Sequence, residues 1–451
     1  MPSRARLREL GVFDARAPRY TSYPPANHFA GNVTPDTTAG WLEALPSGAR
    51  VSLYLHIPYC RRLCWFCACR TQGTATDRPL APYQSYLKSE LALVGRHLRP
   101  DVAISSIHLG GGTPTLLPPD LIRELGEVLH DFRPWTPDAQ FSVEIDPTEV
   151  DAPRIEALKE IGMTRASIGV QDFDPLVQES IGREQGYELT RDVVAMLRDA
   201  GVQSLNMDIL YGLPHQTRAR MTDSVQKVLS MSPDRVALYS YAHVPWMAKR
   251  QILIPAEALP DAEARLDLFD TARRLFVWDG YREIGIDHYA REGDSMAEAD
   301  RSGTLRRNFQ GYTVDDSVAL IGIGASAISR YPQGYAQNIS VSSRYSTAIE
   351  GGRLATERGH AMTDDDNLRA DMIESIMCRF ALDLPALAAR HDVPLAMLRG
   401  ITRGLRERFA DCLTVEGDVI RITEQPRLIA RLVAQEVDGY HMPEGRHSRA
   451  V

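Results

Sequence analysis

VSLYLHIPYCRRLCWFCAC, residues 51–69, is the stretch whose reading decides the fold. Its first seven residues, 51–57, are short, apolar and β-branched, the pattern of a buried strand. The loop that follows carries Cys60, Cys64, Cys67 and Cys69, so four of the chain's six cysteines fall within ten residues. Such crowding in a long chain points to metal or redox chemistry rather than a disulfide framework. The other two, Cys378 and Cys412, are isolated and read as small buried apolar residues.

Working outward, the same pattern repeats after this strand. Further strand candidates are 102–109, 141–145, 165–170, 204–210 and 235–241, with helical periodicity over 80–97, 119–131, 152–161, 187–200 and 218–230. Strands alternating with helices predict a parallel sheet with right-handed crossovers. Six such units suit an open, incomplete version of the eight-unit α/β barrel. A helix (261–278), a strand (281–287) and a Gly-rich irregular stretch to about residue 337 follow. Beyond residue 363 the chain turns helical (364–380, 395–409). A hairpin comes next over 413–422, turning at Glu416–Gly417–Asp418, and then a helix over 426–437. The expected organisation is an N-terminal arm (1–50), a catalytic domain with its extension (51–337) and a small, mostly helical C-terminal domain covering the site (338–451). That last domain reads either as winged-helix-like or as a plain helical cap.

Composition narrows the function. Across 451 residues, 44% are hydrophobic and 24% charged, the balance of a globular protein with a large core. The net charge of −8 and the acidic Asp364–Asp366 argue against nucleic-acid binding. No apolar run approaches the roughly 20 residues needed to span a bilayer. The Arg-rich N-terminus lacks the apolar core of a secretory signal, and Glu9 and Asp14 weigh against a transit peptide. A cytoplasmic location is the expectation.

The cysteine loop has specific chemistry. Cys60, Cys64 and Cys67, at gaps of three and two residues, can wrap one loop around three irons of a cubane cluster. The fourth iron is then open to an amino-acid chelate. The alternative is a closed zinc site with Cys69 as fourth ligand, although no second Cys/His pair stands nearby to complete the usual two knuckles. Gly110-Gly111-Gly112-Thr113-Pro114-Thr115 follows the second strand, where glycines let backbone approach a ligand. Glu144, Gln171, Asp208 and Tyr241–Ala242 close the third to sixth strands. The C-terminal ends of parallel barrel strands build active sites, so these groups are expected to converge on one face.

The loop and its place after a first strand resemble the radical S-adenosylmethionine superfamily. Pro18-Arg19-Tyr20-Thr21-Ser22-Tyr23-Pro24, the CX3CX2CXC loop and Arg307-Asn308-Phe309-Gln310-Gly311-Tyr312-Thr313 together resemble the oxygen-independent coproporphyrinogen III oxidase (coproporphyrinogen dehydrogenase) family. The resemblance implies a [4Fe–4S] cluster on Cys60, Cys64 and Cys67 and two S-adenosylmethionine molecules. It assigns Tyr54, Gly111, Glu144 and Ile328 to the first cofactor. Phe66, Gly112, Thr113, Gln171, Arg183, Asp208 and Ala242 fall to the second. Cys69 is read as a catalytic residue outside the cluster. The implied reaction, in haem biosynthesis, converts two propionates of coproporphyrinogen III to vinyl groups, giving protoporphyrinogen IX and CO2. A low-potential donor such as flavodoxin or ferredoxin supplies electrons, and a monomer is expected. Arg19, Arg306 and Arg307 are candidates for meeting the substrate's carboxylates. Trp65 and Ala68 depart from the family's usual Tyr and Gly. The rival readings are a haem-binding chaperone on the same barrel, which typically lacks Cys69 and the N-terminal arm, and a radical methyltransferase.

Overall fold

The computed structural model describes residues 4–13, 16–423 and 426–440. Asp14 and the part of the C-terminal region beyond residue 440 lie outside the described residues. The six anticipated strands are present as β1 (Arg50–Ile57), β2 (Ala103–Gly111), β3 (Trp135–Ile145), β4 (Arg165–Gln171), β5 (Ser204–Tyr211) and β6 (Arg235–Ser240). The crossovers carry helices α1 (Leu80–His97), α2 (Pro119–Phe132), α3 (Ala152–Glu160), α4 (Tyr187–Asp199) and α5 (Arg218–Ser230). Helix starts follow local chemistry. Pro119 opens α2, where a missing N–H costs nothing, and Asp151 and Thr217 cap α3 and α5 with side-chain acceptors. β1 is buried on both faces, which explains its nearly unbroken apolar run.

The stretch after β6 is more ordered than its glycines suggest. After α6 (Ala262–Trp278), the expected strand 281–287 forms only over β7 (Arg282–Ile284), and an antiparallel partner, β8 (His288–Ala290), lies just beyond it. The stretch read as irregular contains β9 (Ala319–Ile323), β10 (Ile328–Tyr331) and β11 (Gly334–Asn338), and β12 (Thr356–Ala361) follows. All join one twelve-stranded sheet of order β12-β11-β10-β9-β1-β2-β3-β4-β5-β6-β8-β7. The run from β9 through β1 to β6 is parallel throughout, and antiparallel strands extend both edges. The order is linear, so the barrel is open. Gly322 in β9 has a packing role, since a Cβ there would lie 2.7 Å from the Ile328 carbonyl.

One buried acid holds the end of the parallel run at β9. Glu90 of α1 is 2% exposed and accepts from Gly324 N–H, Asn338 Nδ2 and Tyr345 O–H, each at 2.6 Å. It therefore ties the first crossover helix to the turn after β9, the end of β11 and α7 (Ser342–Glu350).

The C-terminal region contains α8 (Asp364–Arg379), β13 (Ala381–Asp383), α9 (Leu384–His391), α10 (Leu395–Ile401), α11 (Arg403–Arg408), β14 (Leu413–Glu416), β15 (Val419–Ile422) and α12 (Pro426–Gln435). The single helix expected over 395–409 breaks at Thr402 into α10 and α11. The hairpin forms as read, with Gly417 at a positive φ of 61° in its two-residue turn. Asp364–Asp366 occupy the first turn of α8, and Thr363 and Asp366 cap each other there. Acid at a helix N-terminus complements the macrodipole, a structural reason for that run. Leu7, Leu10, Val12 and Phe13 of the arm pack into one core with α8 and α12, whereas Val33, Leu42 and Leu45 further along the arm pack into the barrel core. Among the described residues no helix is long and apolar enough to cross a membrane.

Glu90→Ala leaves three buried donors unmet and is expected to cost on the order of 3 kcal/mol or more, read from urea unfolding. Burial pushes the Glu90 carboxyl up to about 7, and its three hydrogen bonds only partly offset this. Folding thus raises its pKa above the unfolded value, so its contribution falls as pH rises through about 7. The Glu90→Ala deficit is accordingly expected to be larger near about pH 5 than near about pH 8.

Candidate active site

The cysteine loop leaves β1 at its C-terminal end and is pressed against the end of β2. Gly112 N–H donates to Ile57 O and Thr113 N–H to Tyr59 O, both at 2.8 Å. All three glycines of the turn are sterically required. A Cβ at Gly110 would lie 2.7 Å from Glu144 Oε1, one at Gly111 would strike the His56 ring, and one at Gly112 would lie 2.5 Å from Tyr59 O. Gly111 also takes a φ of 111°, a conformation closed to side-chain-bearing residues.

Cys60, Cys64 and Cys67 line a cavity of about 240 Å³ whose opposite walls include Gly111, Gly112, Thr113, Glu144, Gln171, Arg183 and Asp208. Phe66 and Cys69 border it as well. The C-terminal ends of β2, β3, β4 and β5 thus converge as expected, and Tyr241–Ala242 after β6 lie outside this cavity. Tyr54, Ala242 and Ile328 do not line this cavity. Tyr54 stands on β1, hydrogen-bonded to His56 Nδ1 at 3.0 Å and stacked on His108. Ala242 follows β6, its carbonyl accepting from Gln251, and Ile328 opens β10.

Arg183 is the cationic centre of the cavity. Nη1 reaches Cys64 Sγ at 3.5 Å and Asp146 Oδ2 at 3.3 Å, and Nη2 donates to Gly169 O at 2.8 Å. Its Nε is buried and meets no acceptor among the described residues. Burial pushes the Cys64 thiol up, and the Arg183 charge opposes that push. The Cys67 thiol is pulled down, chiefly by hydrogen bonding from Cys69 and further by Arg250 and Arg183, which favours a thiolate. Cys69 itself is exposed, its N–H on Cys67 Sγ at 3.4 Å.

The two carboxylates are tuned apart. Burial pushes Glu144 up, but His108 Nε2 at 3.2 Å and Gly111 N–H at 3.0 Å outweigh it and hold the carboxyl below its ordinary value. For Asp208 burial wins, and with the Glu144 charge it pushes the carboxyl up to about 6 despite Asn206 Nδ2 at 2.8 Å. Gln171 is aimed into the cavity by a register irregularity at the end of β4, where it takes a φ of 67°.

Several supporting residues escaped sequence reasoning. Gln251, 1% exposed, donates to the carbonyls of Phe66 (2.8 Å) and Ala242 (3.1 Å) and fastens the cysteine loop to the segment after β6. Arg250 donates to Cys69 O and Thr71 Oγ1. His56 Nε2 donates to Arg70 O at 3.0 Å, so its Nδ1 accepts the Tyr54 hydroxyl. For His56 and His108 a signal existed: each lies two residues from a residue already singled out on the same strand face. Trp65, the departure in the loop, seats its ring against Gly182, where a Cβ would lie 2.8 Å away.

The donor set fits an iron–sulfur cluster with a sulfonium amino-acid chelate. Three thiols ring the cavity, an unsatisfied buried guanidinium atom suits a carboxylate, and Glu144 and Asp208 suit ammonium or ribose hydroxyls. Residues 54–228 match the radical SAM superfamily. The chain is therefore a radical S-adenosylmethionine enzyme, using that cofactor and a [4Fe–4S] cluster. It is 52% identical over 451 residues, 100% of both chains, to the oxygen-independent coproporphyrinogen III oxidase of Paracoccus denitrificans. A Cereibacter sphaeroides protein of the same name is 52% identical over 440 residues, 98% of each chain. The structure of coproporphyrinogen III oxidase (HemN) from Escherichia coli superposes with a TM-score of 0.90 at 34% identity, covering 94% of this chain and 98% of that one. The chain belongs to the oxygen-independent coproporphyrinogen III oxidase family.

Cys64→Ser is expected to abolish iron and acid-labile sulfide content after anaerobic reconstitution, because a hard hydroxyl replaces a buried thiol of the cavity wall. Circular dichroism is expected to stay native, since the loop is also fixed by Gly112, Thr113 and Gln251.

Proposed function

We propose that this chain catalyses oxygen-independent oxidative decarboxylation of coproporphyrinogen III, turning two propionates into vinyl groups and giving protoporphyrinogen IX and CO2. The observation that carries the reading is the enclosure of three loop thiols, Arg183, Glu144 and Asp208 around one cavity at the strand ends. Full-length identity to curated relatives of that name supports it.

Bound there, the cluster and S-adenosylmethionine supply a carbon radical able to take a hydrogen atom from an unactivated C–H bond. The chain's own residues hold, orient and keep the site dry. Cys60, Cys64 and Cys67 are the cluster ligands in this reading. Tyr54, Gly111, Glu144 and Ile328 serve the first S-adenosylmethionine. Phe66, Gly112, Thr113, Gln171, Arg183, Asp208 and Ala242 serve a second. The spare Arg183 Nε suits a methionine carboxylate, and ionised Glu144 suits an ammonium or ribose diol. Tyr54, Ala242 and Ile328 stand outside the thiol-lined cavity, so in this reading they reach the cofactors from its margins. Cys69, exposed at the cavity edge beside Cys67, is read as a catalytic residue on the substrate side.

The reading also takes an arm (1–50), a catalytic domain (51–337) and a C-terminal helical domain (338–451) that covers the site. A low-potential carrier such as flavodoxin or ferredoxin supplies electrons to a cytoplasmic monomer.

Anaerobic turnover with coproporphyrinogen III is expected to yield protoporphyrinogen IX, CO2 and 5′-deoxyadenosine together. Cofactor cleavage with no porphyrin product would sink the substrate assignment.

A further inference from the structure

The cysteine loop and the segment after β6 share a charge pattern that the rest of the chain does not predict. Residues 58–76 and 241–256 contain no Asp or Glu, in a chain whose 59 acids outnumber its 51 Lys and Arg. The loop carries Arg61, Arg62 and Arg70, and the later segment carries Lys249 and Arg250. Arg61 is paired with Asp77 and Glu149, and Arg62 feels Glu149 as well. Arg70, Lys249 and Arg250 make no ion pair among the described residues, and the first two are exposed. Of the arginines read as substrate candidates, Arg306 is paired with Glu374 and Arg307 is buried against Tyr312, so neither adds a free exposed cation.

The two segments are fastened together. Arg250 Nη2 reaches Cys69 O at 3.2 Å and Thr71 Oγ1 at 2.8 Å, beside the Gln251 bond to Phe66 O. Ile254 packs in one apolar cluster with Trp65 and Phe66 of the loop. On the arm side, Arg19 Nη2 donates to Ser240 O at 2.7 Å, and Arg16 stands 5.9 Å from the Trp246 ring centre.

Apolar side chains flank these cations on the outside. Trp246, Met247, Ile252 and Leu253 are each between 54% and 72% exposed. The same stretch buries Val244, Gln251 and Ile254, so its inward face is already filled. Single exposed apolar residues need no explanation, but four within eight residues mark an interaction site. Apolar groups beside unpaired cations suit a transient protein contact with an acidic partner. A lipid surface fits less well, because Lys249–Leu253 is a five-residue 3-10 helix with no room for the apolar face of a membrane-lying helix.

We propose that Trp246, Met247, Lys249, Ile252 and Leu253, with Arg70 and Arg250, form the docking surface for an acidic, low-potential electron-carrier protein. The inference rests on the functional reading above, in which the loop thiols hold the cluster and each cofactor cleavage draws one electron from outside. On docking, one electron leaves the reduced carrier, which is oxidised by that one electron, and enters the cluster across the loop. No bond is made or broken in that step. Electron-transfer encounters occupy the small end of protein interfaces, which suits a face of a few residues.

Calorimetric titration of the anaerobically reconstituted full chain with oxidised flavodoxin, a small acidic flavoprotein, tests this. Stopped-flow reduction of the same chain by reduced flavodoxin and by dithionite accompanies it. The unaltered chain is expected to bind flavodoxin, with affinity falling as salt rises. Lys249→Glu and the double variant Ile252→Ser, Leu253→Ser lie at exposed positions where folding is not at stake. Each is expected to weaken binding about 10-fold, to slow reduction by flavodoxin about equally, and to leave reduction by dithionite unchanged. Trp278→Ser, at an exposed apolar position ending α6, is expected to change none of these. Binding and flavodoxin-driven reduction at full strength in both patch variants overturn the surface. A loss that extends to dithionite or to Trp278→Ser does so too, as does an unaltered chain that binds no flavodoxin. None of these readouts needs a porphyrin, so a failure of decarboxylation alone removes the substrate reading and leaves the surface standing. A reconstituted chain that dithionite cannot reduce removes the cluster reading, and the surface with it.

Discussion

The end of β2 carries no side chain, and the site depends on that constraint. Three consecutive residues, Gly110 to Gly112, are each approached on the side where a Cβ would stand: by a carboxylate, an imidazole and a backbone carbonyl. The carbonyls of Ile57 and Tyr59 can then take the N–H groups of Gly112 and Thr113, which sets the cysteine loop directly on the strand edge. Thr113 in turn pulls the Cys60 thiol down against the push of burial. One bare turn therefore fixes the loop, the height of its first thiol and the reach of Glu144 at once. Few single positions in a barrel couple so many groups, because most strand ends have room for a methyl.

From that contact the electrostatics follow. The parallel strands deliver Glu144 on β3 and Asp208 on β5 to the same cavity with β4 between them, and their local partners differ. Glu144 gains an imidazole and a backbone N–H and stays ionised, whereas Asp208 has one amide partner and an unfavourable neighbouring charge. Arg183 contacts the Cys64 thiol and a third carboxylate, Asp146. The cavity so presents negative, positive and sulfur donors in separate sectors, which suits a zwitterionic sulfonium ligand better than any single-charge species.

Much of this was legible in the residues. Six short apolar runs at helix-separated spacing were enough for the parallel core, and the cysteine spacing was enough for the chemistry. Glycine misled where its purpose was packing. Gly322 lies inside a fully buried strand, yet in one dimension it reads as a break, so β9 to β11 read from sequence as irregular chain. Gln251 gave no local signal, because its value lies in reaching two carbonyls, one of them 185 residues away. Arg306 and Arg307 are adjacent in sequence and opposite in environment, a difference set by strand alternation in a three-residue strand too short to recognise.

The arm shows how distant segments act on the same cavity. An isolated N-terminal segment broken by prolines has little reason to order itself. Here Tyr20 O–H donates to Asp438 at 3.0 Å, Gly439 N–H donates to the Tyr23 hydroxyl at 2.7 Å, and Arg431 of α12 grips the Ala17 and Pro18 carbonyls. The apolar residues of the arm from Leu7 to Tyr23 complete the core of the C-terminal helices, so this part of the arm and the C-terminal helices gain their order together. Arg19 therefore owes its position beside Ser240 to residues more than four hundred positions further along the chain. A loss of packing in the C-terminal region would reach the barrel mouth through that arm, with the loop thiols and the parallel sheet left in place.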